Sequence, residues 1–169
     1  MTTIEIKFNK QSVLERIKTH CYYTGEARKQ IGYPETLAAA MQAGDDDDEQ
    51  LNDHIKAALC EAAKLLSQLL PSCRMHQGSD TLFTIVVPHN FPTETVSLIE
   101  STIEYFSIMH TLQLWLSQHK PDEANIASGE AQKTLYHLRE LLSIRKRPTM
   151  EDSSSYDKLI KILLWITTL

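Results

Sequence analysis

The sequence contains few of the residues that mark specialised classes of protein. It has three cysteines among 169 residues, at irregular spacing (Cys21, Cys60 and Cys73). A disulfide framework needs paired cysteines, so this pattern argues against a small disulfide-stapled protein and for a reducing compartment. Five glycines and six prolines exclude collagen-like and low-complexity chains. What remains is an ordinary globular domain, long enough to bury its own core.

Long hydrophobic runs and an excess of basic charge are also missing. The longest stretch without a Lys, Arg, Asp or Glu, residues 105–119, contains several polar side chains and is too short to span a bilayer. The N-terminal residues include no apolar run of the kind a secretory signal has. A formal net charge of −5 argues against a nucleic-acid or membrane-surface protein. We therefore expect a protein that is assembled in a cytosol and has no membrane partner.

The sequence has no recognisable metal-binding motif. The cluster most like one combines Cys60, Cys73 and His76, with His54 upstream. Structural zinc sites usually pair their ligands as C-x2-C or H-x3-H, and neither pair occurs here. Because Cys60 falls within a predicted helix, we interpret it as a small buried apolar residue. We predict no metal and no cofactor.

Catalytic motifs are missing as well, since G-x-S-x-G, G-x-G-x-x-G, G-x-x-x-x-G-K-[ST] and H-E-x-x-H do not occur. Glu100 and Glu104 lie one helical turn apart and have the spacing of an acid/base pair. On an otherwise apolar helix they are better interpreted as its solvated edge. The acidic run 45–49 lacks the alternating ligands of a calcium loop, so we interpret it as a solvated segment preceding a helix N-terminus. We predict that the protein is not an enzyme.

Apolar periodicity predicts a mainly α fold, a compact bundle of three to four long helices with one or two short strands. The segment 93–119 is apolar around most of its circumference, which predicts a central helix packed on several neighbours. Asn9 is the predicted N-cap of the first helix, and residues 22–25 are a predicted turn. Helices are predicted at 9–19, 35–42, 49–70, 93–119 and 123–144, strands at 4–8 and 81–87, and a polar loop at 72–80.

We divide this single domain into three parts. Residues 1–48 form an N-terminal helical elaboration packed on the core, 49–150 a helical core, and 151–169 a C-terminal apolar arm. The end of the arm, 156–169, has the composition of either a short helix or a strand. Such an apolar segment must be covered by the protein's own core or by a neighbouring subunit, and the sequence leaves both open.

The order of elements and their apolar patterns resemble the head–tail connector (adaptor, head-completion) proteins of tailed bacteriophages and prophages. The resemblance covers residues 50 to 148. Its parts are an Ala/Leu helix (Ile55-x2-Ala58-Leu59-x2-Ala62-Ala63-x2-Leu66), a proline-containing entry (Asn90-Phe91-Pro92), a long apolar helix ending in Leu112-x-Leu114-Trp115-Leu116, and a final helix (Ala131-x3-Leu135-x2-Leu138-x2-Leu141-Leu142) closing in Arg-x-Arg-Pro.

The resemblance implies a structural subunit without enzymatic activity. Such proteins form homo-oligomeric rings between the portal and the tail, around a channel through which DNA passes without sequence-specific binding. The expected location is the virion, after assembly in the bacterial cytoplasm. Their inter-element loop and chain termini make subunit and portal contacts, which here implies contacts through Phe83, Phe91, Ile160, Leu164 and Trp165.

Two further points stay open at this stage. The basic triplet Arg145, Lys146 and Arg147 is interpreted mainly as a complement to a helix C-terminal dipole, with phosphate contact as the alternative. The alternative function is a free-standing helical protein-interaction module, an adaptor or regulator of a bacterial cytoplasm. An enzyme with a site assembled from distant residues is the third reading, to be judged by whether a polar pocket brings titratable groups together.

Overall fold

The computed structural model describes residues 1–32, 34–70, 72–77, 81–118 and 120–146. Helices dominate these residues, with a small antiparallel sheet, and the predicted mainly α fold class is confirmed. Two 3₁₀ turns, Asp45–Asp47 and Thr93–Thr95, lead into the third and fourth helices. In chain order the elements are β1 (Thr2–Phe8), α1 (Lys10–Gln30), α2 (Glu35–Met41), α3 (Asp48–Leu69), β2 (Arg74–Gln77), β3 (Thr81–Val87), α4 (Val96–Leu116) and α5 (Pro121–Ser143).

The fourth helix, α4, lies at the centre of the molecule, as its apolar circumference predicts. It contacts α1, α3, α5 and β1. Full burial of each large apolar side chain stabilises the fold by about 1.5–3 kcal/mol, so this helix organises most of the core. Its buried apolar residues are Ile99, Ile103, Phe106, Ile108, Leu112, Trp115 and Leu116.

The sheet has the order β1-β3-β2, and both pairs of neighbouring strands are antiparallel. In the register, Ile4 lies opposite Ile85 and Ile6 opposite Phe83. These residues are buried, because alternate side chains of each strand point toward the helices. The predicted strands 4–8 and 81–87 are both present. β2 was missed, since residues 72–80 were predicted as a loop and pairing with β3 is what extends this polar segment.

The prediction that the first helix ends at residue 19 and is followed by a turn at 22–25 is wrong, because α1 continues to Gln30. Its predicted start is confirmed: the Asn9 side chain accepts a hydrogen bond from the Ser12 amide at 3.0 Å. A glycine inside a helix resembles a stop signal, but Gly25 has a packing role. A Cβ there would lie 2.8 Å from the Ala38 carbonyl oxygen, so glycine allows α2 to approach α1 closely.

The remaining helices lie near their predicted positions, with two corrections on α5. This helix begins at Pro121, which occupies its first turn, where no amide donor is needed. Ile126 was predicted on the buried stripe and is instead 68% exposed. The buried stripe of α5 consists of Ala124, Ala127, Ala131, Thr134, Leu138, Leu141 and Leu142.

Candidate interaction surfaces

The outer face of the sheet is not covered by any helix or strand within the described ranges. The strand register places Leu82, Thr84 and Val86 along the middle of this face, where each is half-buried. Charged and polar side chains flank this stripe on both sides. They are the exposed residues Thr3, Glu5 and Lys7 of β1 and Arg74 and His76 of β2.

β1 forms an open edge of the sheet, in the sense that no further strand pairs with it among the described residues. Its Lys7 amide donates to Oε1 of Glu100 on α4 at 3.3 Å and therefore points away from β3. In an antiparallel pair, residues alternate between those that bond to the neighbouring strand and those that face away from it. The backbone groups of Thr3 and Glu5 therefore also point toward the open edge. β2 forms the opposite edge.

A second surface is a groove between α4 and α5, with a volume of about 370 Å³. Leu98 and Tyr105 of α4 are 46% and 39% exposed there, although both belong to a largely apolar helix. Thr102, Ser101, Lys133, Thr134 and His137 complete the lining. The sequence predicted the exposed edge of this helix at Glu100 and Glu104 and gave no signal that Leu98 and Tyr105 also stay exposed.

The structure does not present Phe83 and Phe91 as contact residues. Phe83 is fully buried on the inner face of β3, and Phe91 is 4% exposed. Phe83 lies inward because it alternates with Leu82 and Thr84 along the strand. The expectation that these two phenylalanines contact a partner is therefore corrected: both are core residues.

Two of the three basic residues after α5 make contacts within the chain. Arg145 donates to the carbonyl oxygens of Leu142 at 2.8 Å and Ile144 at 2.7 Å, which is the helix-end role predicted for it. Its guanidinium also lies 5.9 Å from the centre of the Phe91 ring. Lys146 pairs with Glu94 at 2.8 Å. These contacts give both cations a structural role, and phosphate contact stays a prediction.

Four of the predicted contact residues lie outside the described part of the chain. They are Arg147, Ile160, Leu164 and Trp165. The choice between helix and strand for residues 156–169 falls on the same segment.

The residues of the metal-like cluster are dispersed. Cys60 is exposed on α3, which corrects its interpretation as a buried residue. His76 is exposed on the outer face of β2, whereas Cys73 is half-buried. Among the residues that the structure describes, no group of three or more His, Cys, Asp or Glu side chains is placed to hold a metal ion.

Glu100 and Glu104 interact with different partners. Glu100 accepts the Lys7 amide of β1, and Glu104 pairs with Arg16 of α1 at 3.4 Å. The two carboxylates thus connect α4 to β1 and α1, which is more than the solvated edge that the sequence indicated.

The acidic run 45–49 begins α3 and also connects it to α1. Lys18 of α1 pairs with Asp45 at 2.8 Å and with Asp48. The hydrogen bond from Lys18 lowers the pKa of the Asp45 carboxyl, and the bonds to Asp45 and Asp48 raise the pKa of Lys18. Side-chain pairing across two helices is therefore added to the predicted interaction with the helix dipole.

A polar cleft between α3, α4 and α5 was missed by sequence reasoning. It holds about 210 Å³, and Glu61, His110, Gln113, Ser128 and Gln132 contribute its polar lining. Its histidine is influenced by a second one, His54 of α3. Burial lowers the pKa of both histidines, and the described residues provide no hydrogen-bond partner for Nε2 of His54 or Nδ1 of His110. A lowered pKa favours the neutral form of both imidazoles, and Ser128 is the hydroxyl that lines the same cleft.

Comparisons with known proteins identify no relative of this chain. No protein-family model matches it, and neither the curated proteins nor the solved structures include a significant match. None of the described helices combines the length and apolar character needed to cross a membrane. The resemblance to head–tail connectors stays a prediction.

Proposed function

We propose that this protein is a structural subunit of a tailed phage or prophage, a head–tail connector that forms a ring between portal and tail. The observation that carries the proposal is the three-stranded sheet, whose two edges are different and both open among the described residues. β1 forms one edge and β2 the other. The sheet precedes the central helix α4, at the position where the resemblance implies subunit contacts.

Two different open edges favour a ring over a symmetric dimer. A contact between the β1 edge of one copy and the β2 edge of the next joins two unlike surfaces. Such heterologous contacts repeat from copy to copy and close into a ring when the rotation between copies allows it. Pairing at the Thr3 and Glu5 end of the β1 edge would supply main-chain hydrogen bonds, since the Lys7 amide is already bonded to Glu100. The flanking side chains Glu5 and Arg74 would supply opposite charges.

The charge of the chain is compatible with a channel for DNA. A formal net charge of −5 attracts no polyanion over long range, so DNA inside a ring of such subunits is not held by the overall charge. Arg145 and Lys146, two of the cations that could contact phosphate, already pair within the chain.

The experiment is to measure the mass of the full chain in solution by light scattering and to image it by electron microscopy. We expect closed rings at high protein concentration. The variant Thr3→Pro removes an amide that points to the open edge and leaves the bonds between β1 and β3 in place. We expect it to stay folded, by circular dichroism, and to lose the rings.

The matched control is Thr3→Val, which keeps the amide and changes the side chain in the same place. It should form rings as the natural chain does. A natural chain that stays monomeric at every concentration would contradict the ring, as would a folded Thr3→Pro variant that still forms rings.

A protein-interaction module of the bacterial cytoplasm is the second candidate. The observation that favours it is the same open edge of β1, because an extended peptide of another protein can add to such an edge as a further strand. A stable complex of one copy with one partner chain, without rings, would support this module in place of the connector.

A further inference from the structure

We propose that the groove between α4 and α5 binds the C-terminal segment of the same chain, residues 156–169. The groove is open among the described residues, and Leu98 and Tyr105 leave much of their apolar surface exposed in it. Exposed apolar surface that is grouped in a groove, and not scattered singly, marks a place where another segment binds.

The end of the described chain lies beside this groove. The Lys146 amide donates to the Asn90 carbonyl oxygen at 2.7 Å, and the Lys146 ammonium pairs with Glu94 at 2.8 Å. Leu98, the first apolar residue of the groove, follows Glu94 by four positions, or about one helical turn. The chain therefore continues from a point next to the end of the groove at which Leu98 lies.

The remaining length of chain is sufficient for the segment to reach its site. Twelve residues separate Lys146 from Leu159, and an extended chain of that length spans about 40 Å. The α5 helix, which forms one wall of the groove, has 23 residues and is about 34 Å long. Every part of the groove is thus within reach without strain.

The sequence of the segment matches the pattern of a helix that binds in a groove. Such helices place apolar anchors at positions i, i+3, i+4 and i+7. Leu159, Ile162, Leu163 and Ile166 have this spacing. Lys161 lies between these anchors and Lys158 directly before them, and this spacing leaves both for the solvent side.

Covalent attachment favours the chain's own segment over that of a second copy. A short linker gives the tethered segment an effective concentration in the millimolar range, far above the protein concentrations used in solution. The docked segment would cover Leu98 and Tyr105, and Trp165 would lie in or beside the interface.

The test uses the fluorescence of Trp165 in the full chain, with Trp115→Phe to remove the other tryptophan. We expect a blue-shifted emission and slow quenching by acrylamide, both unchanged by about a hundred-fold dilution. Adding Leu98→Lys should shift the emission to the red and accelerate quenching several-fold. The control Ile31→Lys places the same charge on an exposed apolar residue outside the groove and should change neither quantity.

Three results would overturn the proposal. They are a solvent-exposed Trp165 in the parent protein, a buried Trp165 that is insensitive to Leu98→Lys, and a burial that disappears on dilution, which would show binding between copies.

If Trp115→Phe does not fold, a disulfide between Leu98→Cys and Leu163→Cys is the alternative, with Cys60 and Cys73 replaced by serine. We expect a cross-link within one chain, and cross-linked dimers or no cross-link would count against docking in the same chain. These outcomes do not depend on ring formation, so they separate this inference from the proposed function.

Discussion

The two sides of α4 differ in a way that the sequence does not reveal. Ile103 and Phe106 face the protein interior and are essentially inaccessible, whereas Leu98 and Tyr105 are 46% and 39% exposed. All four are large apolar or aromatic residues of one helix. A helix that is apolar around most of its circumference should be packed against other elements on most of its sides. Among the described residues, such elements bury Ile103 and Phe106 and leave Leu98 and Tyr105 partly exposed.

This comparison separates folding from recognition. Residues on the covered side make the core, so their removal should act on stability. Residues on the open side are available to a further segment, so their removal should act mainly on what binds there. Substitutions of similar size on the two sides therefore test whether the distinction is real.

The largest effect is expected for Phe106→Ala, on the covered side. Truncating a buried phenylalanine leaves a cavity and should lower the free energy of unfolding by about 3–5 kcal/mol. Leu98→Ala, on the open side, should lower it by no more than about 1 kcal/mol. Urea unfolding followed by circular dichroism measures both, and equal losses would show that the two sides do not differ.

A smaller effect is expected for Trp115→Phe, at the end of the covered side. The Trp115 indole donates to the Met41 carbonyl oxygen at 3.2 Å and thereby ties α4 to the end of α2. Loss of this hydrogen bond and of part of the ring volume should lower the free energy of unfolding by about 1–2 kcal/mol, with the fold retained. The same urea titration measures it, and an unchanged midpoint would mean that the bond contributes nothing.

The polar cleft beside His110 should make stability depend on pH. Burial lowers the pKa of His110 and His54 in the folded protein, while Glu61 raises that of His110. As the pH falls through the ordinary histidine pKa of about 6.5, the unfolded chain takes up protons first, so stability is complete above this pH and is lost below it. We expect a lower melting temperature at pH 5 than at pH 7.

The variant His110→Gln keeps a polar side chain and cannot titrate. The difference in melting temperature between pH 7 and pH 5 should shrink in this variant. A difference of the same size as in the natural chain would assign the pH dependence to other groups.

The smallest effect is expected for Glu94→Gln, which breaks the exposed ion pair beside the groove. The hydrogen bond from Lys146 lowers the pKa of Glu94, so its contribution is present above the ordinary glutamate pKa and is lost as the pH falls through the folded value. Because exposed pairs contribute little, we expect the melting temperature to drop by at most about 2 °C at pH 7. The two proteins should become indistinguishable in strong acid, and a difference that persists there would have another cause.

The sequence predicted the elements whose signals are local. The Leu51, Ile55, Leu59 and Leu66 stripe of α3 repeats at helical spacing, and all four residues are buried as expected. The strand at 81–87 carries its own β-branched pattern. These predictions hold because the residues that determine each element are neighbours along the chain.

The errors arose where a distant segment decides the local structure. β2 is a strand because β3 lies beside it, and α1 continues past Gly25 because that glycine allows contact with α2. The candidate surfaces were missed for the same reason. Nothing in the sequence indicates that His54 lies near His110. The apolar pattern of α4 also does not indicate which part of its surface the other elements leave exposed.

The central claim, a connector subunit, is tested most directly by sequencing and translating the DNA that flanks the gene. The account predicts portal-like and capsid-like reading frames on one side and tail-like frames on the other, with a frame carrying the P-loop motif of a packaging ATPase nearby. A neighbourhood of metabolic or regulatory genes would contradict it.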